Sequence, residues 1–136
     1  MYLNRLNEDE KKAFMAFARL VQAVDGNVSE DEEIMIKGYY HEMNLFGERE
    51  EKYSIDELIS VFNGSTIENK KIVIFEAIGL AYADGEYDES EKNLISKVAN
   101  AIGITDDIMT KLDAYVLKYI VLVSEINDML KSNYVG

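Results

Sequence analysis

Acidic side chains recur at one spacing in two stretches of the chain. The first runs from Asp25 to Glu32 as DGNVSEDE, and the second runs from Asp84 to Glu91 as DGEYDESE. Carboxylate oxygens are the ligands that Ca²⁺ and Mg²⁺ prefer, whereas zinc normally takes nitrogen or sulfur ligands. If the fold brings the two turns together, the first and last acidic side chains of both stretches would form one oxygen-rich cation site. Its ligands would be Asp25, Glu32, Asp84 and Glu91.

Each stretch matches only the second half of an EF-hand calcium loop. The acid, the turn glycine, the apolar residue and the final glutamate are present both times. The two leading ligand positions hold apolar or aromatic residues instead: Val21 and Ala23, then Leu80 and Tyr82. Calcium takes about 6–8 oxygen ligands, so half a loop does not hold it alone. These stretches are not EF-hands, and a cation site would need both.

The same residues also suit a purely structural motif. Each Asp-Gly pair can end one helix, and a pair with capping-box spacing follows it to begin the next. These pairs are Ser29 with Glu32 and Asp88 with Glu91. In this interpretation each cap contributes about 1 kcal/mol, and no ligand is required.

The charge around both turns keeps the cation interpretation open. Asp25 and Asp84 are expected at helix C-termini, where the helix dipole disfavours an anion. Further acids crowd the two turns, and their repulsion calls for a cation or a basic partner. They are Glu30, Asp31 and Glu33 in the first turn, and Glu86 and Glu89 in the second.

Capping residues and glycines divide the chain into six predicted helices. Capping-box spacing also occurs at Asn7 with Glu10 and at Ser54 with Glu57, and Thr66 and Thr105 are candidate N-caps. Glycines suited to the left-handed position after a helix stand at 26, 47, 64, 85 and 103. The predicted helices span roughly 8–25, 30–45, 55–63, 67–84, 89–102 and 106–131.

These helices predict an all-α fold, a compact bundle of about six helices forming a single domain over residues 1–136. Residues 13–24 and 72–83 are apolar nearly all round, so their helices are expected at the centre. Asp84 follows Asp25 by 59 positions, which favours two repeated helix–turn–helix units. The units would cover about 8–46 and 67–104, with a C-terminal helix at about 106–131.

Apolar spacing predicts which faces of the remaining helices are buried. The second helix is expected to turn Ile34, Met35, Gly38 and Leu45 inward, and the fifth Leu94, Ile95, Val98 and Ile102. The last helix carries a seam with steps of four and three, at Leu112, Val116, Tyr119, Val123, Ile126 and Leu130. We expect this seam to pack against its own domain rather than against a second copy.

The double motif resembles the TerB family of small helical domains, named for tellurite resistance. The resemblance rests on Phe17 to Leu45 and Glu76 to Ile104. It implies an all-helical domain without established enzymatic activity, in which acidic residues are suspected of binding metal. The chain departs from the family pattern at Val24, where alanine is usual, as at Ala83.

Composition restricts the partners. Lys and Arg total 14 against 26 Asp and Glu, a net charge of −12, which repels both nucleic acid and the tellurite oxyanion. There is no Cys for disulfides or zinc thiolates, and the polar start and lack of a long apolar run predict a cytoplasmic protein without a membrane span. A protein partner, docked through an apolar groove or an acidic face, fits better, and a homo-oligomer is compatible with the sequence.

The sequence offers no recognisable set of catalytic residues. Its single histidine, His41, has no recognisable nucleophile near it, and there is no phosphate-binding loop. We therefore expect no catalysis, and no cofactor apart from a divalent cation such as calcium or magnesium. The first hypothesis is a TerB-like domain of a tellurite or stress response that binds this cation through the paired turns. The alternative is a protein-interaction module with structural turns.

Overall fold

The computed structural model describes residues 1–24, 30–45, 52–83 and 88–133, and within them it confirms the all-α prediction. A 3₁₀ turn at Leu3–Arg5, which the sequence did not indicate, precedes the α-helices. These are α1 (Glu8–Ala23), α2 (Glu30–Glu42), α3 (Ile55–Asn63), α4 (Ile67–Ala81), α5 (Glu89–Ala101) and α6 (Asp106–Lys131). The internal duplication stays a prediction, because both acidic turns lie partly outside the described residues.

Capping side chains explain where most of these helices begin. Asn7 accepts a hydrogen bond from the Glu10 amide at 2.9 Å, and the Glu10 carboxylate accepts one from the Asn7 amide at 2.8 Å. This confirms the predicted capping box, and Ser54 and Glu57 form the same box at α3. Both pairs satisfy amides that a helix start leaves without partners. Thr66 and Thr105 cap α4 and α6 as predicted.

Glycine plays its predicted role at only one of two described helix ends. Gly103 follows α5 with φ of 88°, the left-handed conformation that glycine adopts without strain. Gly64 has φ of −81°, so its left-handed prediction is wrong, and its amide donates to the Val61 carbonyl at 3.1 Å in a right-handed turn. After α2 the left-handed residue is Asn44, with φ of 55°. The predicted stops at Gly26, Gly47 and Gly85 lie outside the described residues.

The two apolar helices lie at the centre, as predicted. Helix α1 contacts α2, α3, α4 and α5, and α4 contacts α1, α2, α5 and α6. Phe14 and Phe17 of α1 are fully buried, with the Phe17 ring 6.2 Å from that of Phe62 in α3 and the Phe14 ring 5.4 Å from that of Tyr39 in α2. Burying side chains of this size supplies most of the driving force for folding.

The predicted inward face of α2 is wrong for Ile34 and Gly38, whereas Leu45 is buried as predicted. Ile34 is 60% exposed, Met35 is only partly buried and Gly38 is exposed. The buried positions are Ile36, Tyr39 and Met43, followed by Leu45. A second apolar stripe, three and four residues apart, is therefore the one that meets α1 and α4. The face predicted for α5 is confirmed for Ile95, Val98 and Ile102, with Leu94 partly buried.

The expectation that the seam of the last helix packs against its own domain is confirmed for Leu112 and Val116 but is wrong for Ile126 and Leu130. Helix α6 contacts α4 and α5 through its first half, where Met109 and Val116 are buried. Further along, Ile126 is 48% and Leu130 is 76% exposed. The helix has 26 residues, about 39 Å, and its C-terminal turns extend beyond the body that covers its start.

Candidate functional site

The four predicted cation ligands are only partly placed by the structure. Asp25 and Asp84 lie outside the described residues, and so does the side chain of Glu32 within α2. Glu91 stands in the first turn of α5 and is buried, with 1% of its surface exposed. Among the described side chains no three His, Cys, Asp or Glu residues are grouped to hold a metal ion. The shared cation site stays a prediction.

One of the acids near the first turn is neutralised within the protein. The Glu33 carboxylate accepts hydrogen bonds from Gln22 Nε2 at 2.7 Å and from Arg19 Nη1 at 2.8 Å. The Gln22 hydrogen bond and the Arg19 charge hold the pKa of Glu33 below its ordinary range, against the effect of burial. Arg19 and Gln22 are the two polar residues within the apolar run 13–24 of the sequence. In the structure both donate hydrogen bonds to the Glu33 carboxylate.

Near the second turn, two polar side chains have structural roles. Asp88 caps α5 by accepting a hydrogen bond from the Ser90 amide at 3.1 Å. At the end of α4, the Tyr82 hydroxyl donates to Asp113 Oδ1 on α6 at 3.0 Å. Burial, followed by this bond to a carboxylate, raises the pKa of Tyr82 to about 12. The pair joins the central helix to the C-terminal one.

A second polar cluster anchors the first residues of the chain. The Met1 ammonium lies 2.9 Å from Glu76 Oε1 and 2.9 Å from Glu42 Oε1. Glu76 also accepts from the Tyr2 amide at 2.9 Å, and Glu42 accepts from the Leu3 amide at 3.1 Å. These bonds explain how a carboxylate is tolerated inside the apolar helix α4, since a buried charge needs a partner.

Beside this cluster an apolar groove of about 630 Å³ opens between the 3₁₀ turn, α4 and α6. Its walls include the rings of Tyr2, Phe75, Tyr115 and Tyr119, and Leu112 and Ile72. Arg5, Glu68 and Lys71 stand at its edge, where Arg5 lies 5.0 Å from the Tyr2 ring centroid and 3.1 Å from the Glu68 carboxylate. A neighbouring cavity of about 330 Å³ shares Met1, Phe75 and Tyr119. We call the first of these the α6 groove.

From the groove, an exposed apolar stripe runs to the end of α6. Its members are Tyr115, Tyr119, Leu122, Ile126 and Met129, each between 47% and 60% exposed. Their steps of four, three, four and three residues place them on one side of the helix. We call these five residues the α6 seam. The seam predicted from the sequence shares Tyr119 and Ile126 with it but misses the other three residues, because that seam begins at Leu112 and is rotated by part of a turn.

The α6 groove and the α6 seam share Tyr115 and Tyr119. The groove and the seam form one continuous apolar surface, which in a folded domain usually marks a site of contact with another molecule. His41 lies on the exposed side of α2, and it is absent from the residues that line the groove. In the ranges that the structure describes, no helix combines the length and the apolar character needed to cross a bilayer.

Comparison with known proteins identifies a family for most of the chain. The family model described as "Tellurite resistance protein TerB" matches residues 11–114, which include most of α1, all of α2 to α5 and the first part of α6. No match was found among curated proteins or among solved structures. The matched stretch contains both Asp-Gly turns on which the sequence resemblance rests. The chain therefore belongs to the TerB family.

Proposed function

We propose that this chain is a non-enzymatic TerB-family domain that acts in a tellurite or related stress response by binding a protein partner. The observation that carries the proposal is the α6 seam, a row of large apolar side chains that the domain leaves uncovered. Contiguous apolar surface of this kind is costly in water unless a partner covers it. The tellurite role is supported by family membership.

Charge favours a protein over a lipid surface or a nucleic acid. The net charge of −12 repels anionic membranes and phosphate backbones alike. Along the exposed half of α6, Lys118 is balanced by Glu125, and Lys131 by Asp128. Amphipathic helices that lie on membranes are typically rich in Lys and Arg, which this helix is not.

The test compares two pairs of added charges on α6. Leu122→Glu with Ile126→Glu places carboxylates in the seam, whereas Ser124→Glu with Asn127→Glu adds the same charge to exposed positions outside it. Each variant is expressed in a tellurite-sensitive bacterium, and helicity and melting temperature are measured on the purified protein. We expect wild type and the control pair to raise tellurite tolerance, and the folded seam pair to lose that effect.

Two results would count against the proposal. Equal protection by the folded seam variant would show that the seam is not needed for the role. If wild type gives no protection, the tellurite role is rejected. Photo-crosslinking from Leu122 then decides whether any protein is bound at the seam, with Ser124 as the position for comparison.

The second candidate function is binding of calcium or magnesium by Asp25, Glu32, Asp84 and Glu91. The repeated acidic turn at 25–32 and 84–91 supports it, because carboxylate oxygens are the ligands that these cations prefer. A cation at 100 times its dissociation constant adds about 2.7 kcal/mol to the free energy of unfolding. Such a rise should vanish in Asp25→Asn with Asp84→Asn, but persist in Asp9→Asn with Asp128→Asn.

A further inference from the structure

The α6 seam suits pairing with a second α6. We propose that two copies of this chain associate through their α6 seams, packed antiparallel about a twofold axis. The inference rests on the proposed function, because it names a second copy as the protein that covers the same surface. The spacing of the seam, its charge pattern and the position of the α6 groove all support this arrangement.

The spacing of the seam is that of helices which interlock side by side. Steps of four and three residues let side chains of one helix fit between those of another. In the antiparallel register, Tyr115 lies opposite the partner's Ile126, and Tyr119 lies opposite the partner's Leu122. Each layer then joins an aromatic ring to a large aliphatic side chain, and the tyrosine hydroxyls reach the rim of the interface, where water is available.

Charge selects the antiparallel direction. Lys118 and Glu125 border the seam on one side, seven residues apart, and the Lys118 ammonium lies 5.5 Å from the Tyr115 ring centroid. In this register Lys118 and the partner's Glu125 are within about two residues of each other, roughly 3 Å along the axis. In a parallel pair the flank that holds Lys118 and Glu125 would lie on the opposite side of the interface from the same flank of the partner, so the two residues would not meet.

The α6 groove fits the same arrangement. Tyr115 and Tyr119 belong to the seam and also to the groove wall. The antiparallel partner therefore lays the C-terminal turns of its α6, from its Ile126 onward, along the mouth of the groove. In each copy the other helices cover only the first half of α6, on the face that holds Met109 and Val116. The two helical bundles therefore lie at opposite ends of the α6 pair.

The surface area that the two seams would bury is typical of a dimer that forms reversibly. If each seam side chain loses on the order of 80 Å² of surface, about half of what a large apolar or aromatic residue presents, ten of them supply roughly 800 Å². The groove walls add to this, and specific interfaces begin at about 1,000–1,200 Å². We therefore expect an association that depends on protein concentration and dissociates on dilution.

Introduced cysteines test contact and direction together, because the chain has none of its own. Tyr115→Cys and Ile126→Cys proteins are mixed and mildly oxidised. We expect a disulfide-linked pair that contains one of each, and little linkage in either protein alone, since two copies of one position are about 16 Å apart along the axis. Ser124→Cys, outside the seam, is the control for random collision. Linkage of Tyr115→Cys to itself would overturn the antiparallel direction.

Charge reversal provides an independent test by sedimentation equilibrium. Lys118→Glu alone and Glu125→Lys alone should each weaken self-association several-fold. A mixture of the two proteins should restore it, because the carboxylate introduced in one copy then meets the ammonium introduced in the other. In a parallel pair these two residues do not meet across the interface, so neither the single reversals nor the mixture would change association.

The outcomes separate this inference from the proposed function. A monomer at about 100 µM, with no specific disulfide, overturns self-association. If the seam variant Leu122→Glu with Ile126→Glu still loses tellurite protection in that case, the seam binds a different protein and the proposed function stands. A dimer whose seam variant is monomeric but fully protective would support the inference and reject the functional role of the seam.

Discussion

The hydroxyl of Tyr82, at the end of α4, donates a 3.0 Å hydrogen bond to Asp113 on α6. This bond joins the C-terminal helix to the end of the central one, within the part of α6 that packs against α4 and α5. Burial and the carboxylate neighbour favour the neutral phenol and raise its pKa from 10.0 to about 12.

Tyr82→Phe should lower the free energy of unfolding by about 1 kcal/mol at pH 7, the usual value of one such bond. The difference from wild type should shrink as the pH rises above 10, because the unfolded tyrosine then loses its proton before the folded one does. Urea unfolding at pH 7 and pH 11 measures this. Tyr115→Phe, at an exposed ring, is the control, and an unchanged difference between the two pH values would contradict the prediction.

Glu33→Gln tests the network with Arg19 and Gln22. The lowered pKa of Glu33 means that its carboxylate stabilises the fold above the ordinary value of 4.5, and that the contribution is lost as pH falls through the lower, folded value. Glu33 is partly exposed, so we expect a loss below about 1 kcal/mol at pH 7 and none near pH 3. Thermal unfolding at both pH values checks this, with Glu30→Gln, an exposed acid on the same turn, for comparison.

Glu76→Gln removes a buried charge that holds the chain start. We expect a loss of about 2 kcal/mol, more than at a surface pair, because the glutamine oxygen can still accept from the Tyr2 amide but no longer carries the charge that pairs with the Met1 ammonium. Burial lowers the pKa of the Met1 ammonium, but its bonds with Glu42 and Glu76 outweigh this and raise it above 8.0. The effect should therefore be complete below pH 8 and fade at higher pH. Glu68→Gln, at the exposed Arg5 pair, should cost under about 0.5 kcal/mol.

A pair of isoleucines in α2 tests which face of that helix is buried. Ile36→Ala should cost about 2–5 kcal/mol, because Ile36 is fully buried and its truncation leaves a cavity. Ile34→Ala, at a side chain that is 60% exposed, should change stability by less than about 0.5 kcal/mol. Denaturant midpoints of the two variants compare them directly, and similar losses would reject the assigned face.

Local chemistry along the chain accounts for the helices themselves. Asn7 with Glu10 and Ser54 with Glu57 satisfy helix amides within three residues of sequence, so their effect does not depend on the rest of the fold. The near-continuous apolar runs of α1 and α4 likewise favour helices that are buried on most faces. These features indicated the all-α class, and the double Asp-Gly motif indicated the family.

Only the tertiary structure decided which apolar stripe of a helix is covered. Helix α2 offers one stripe at Ile34 and another at Ile36, and α6 offers a seam that begins at Leu112 and another that begins at Tyr115. Periodicity ranks such stripes equally, because each would bury similar area. The choice depends on where α1, α4 and α5 end and on how far α6 extends past them. Those distances arise from packing among helices far apart in sequence, and they leave the α6 seam uncovered.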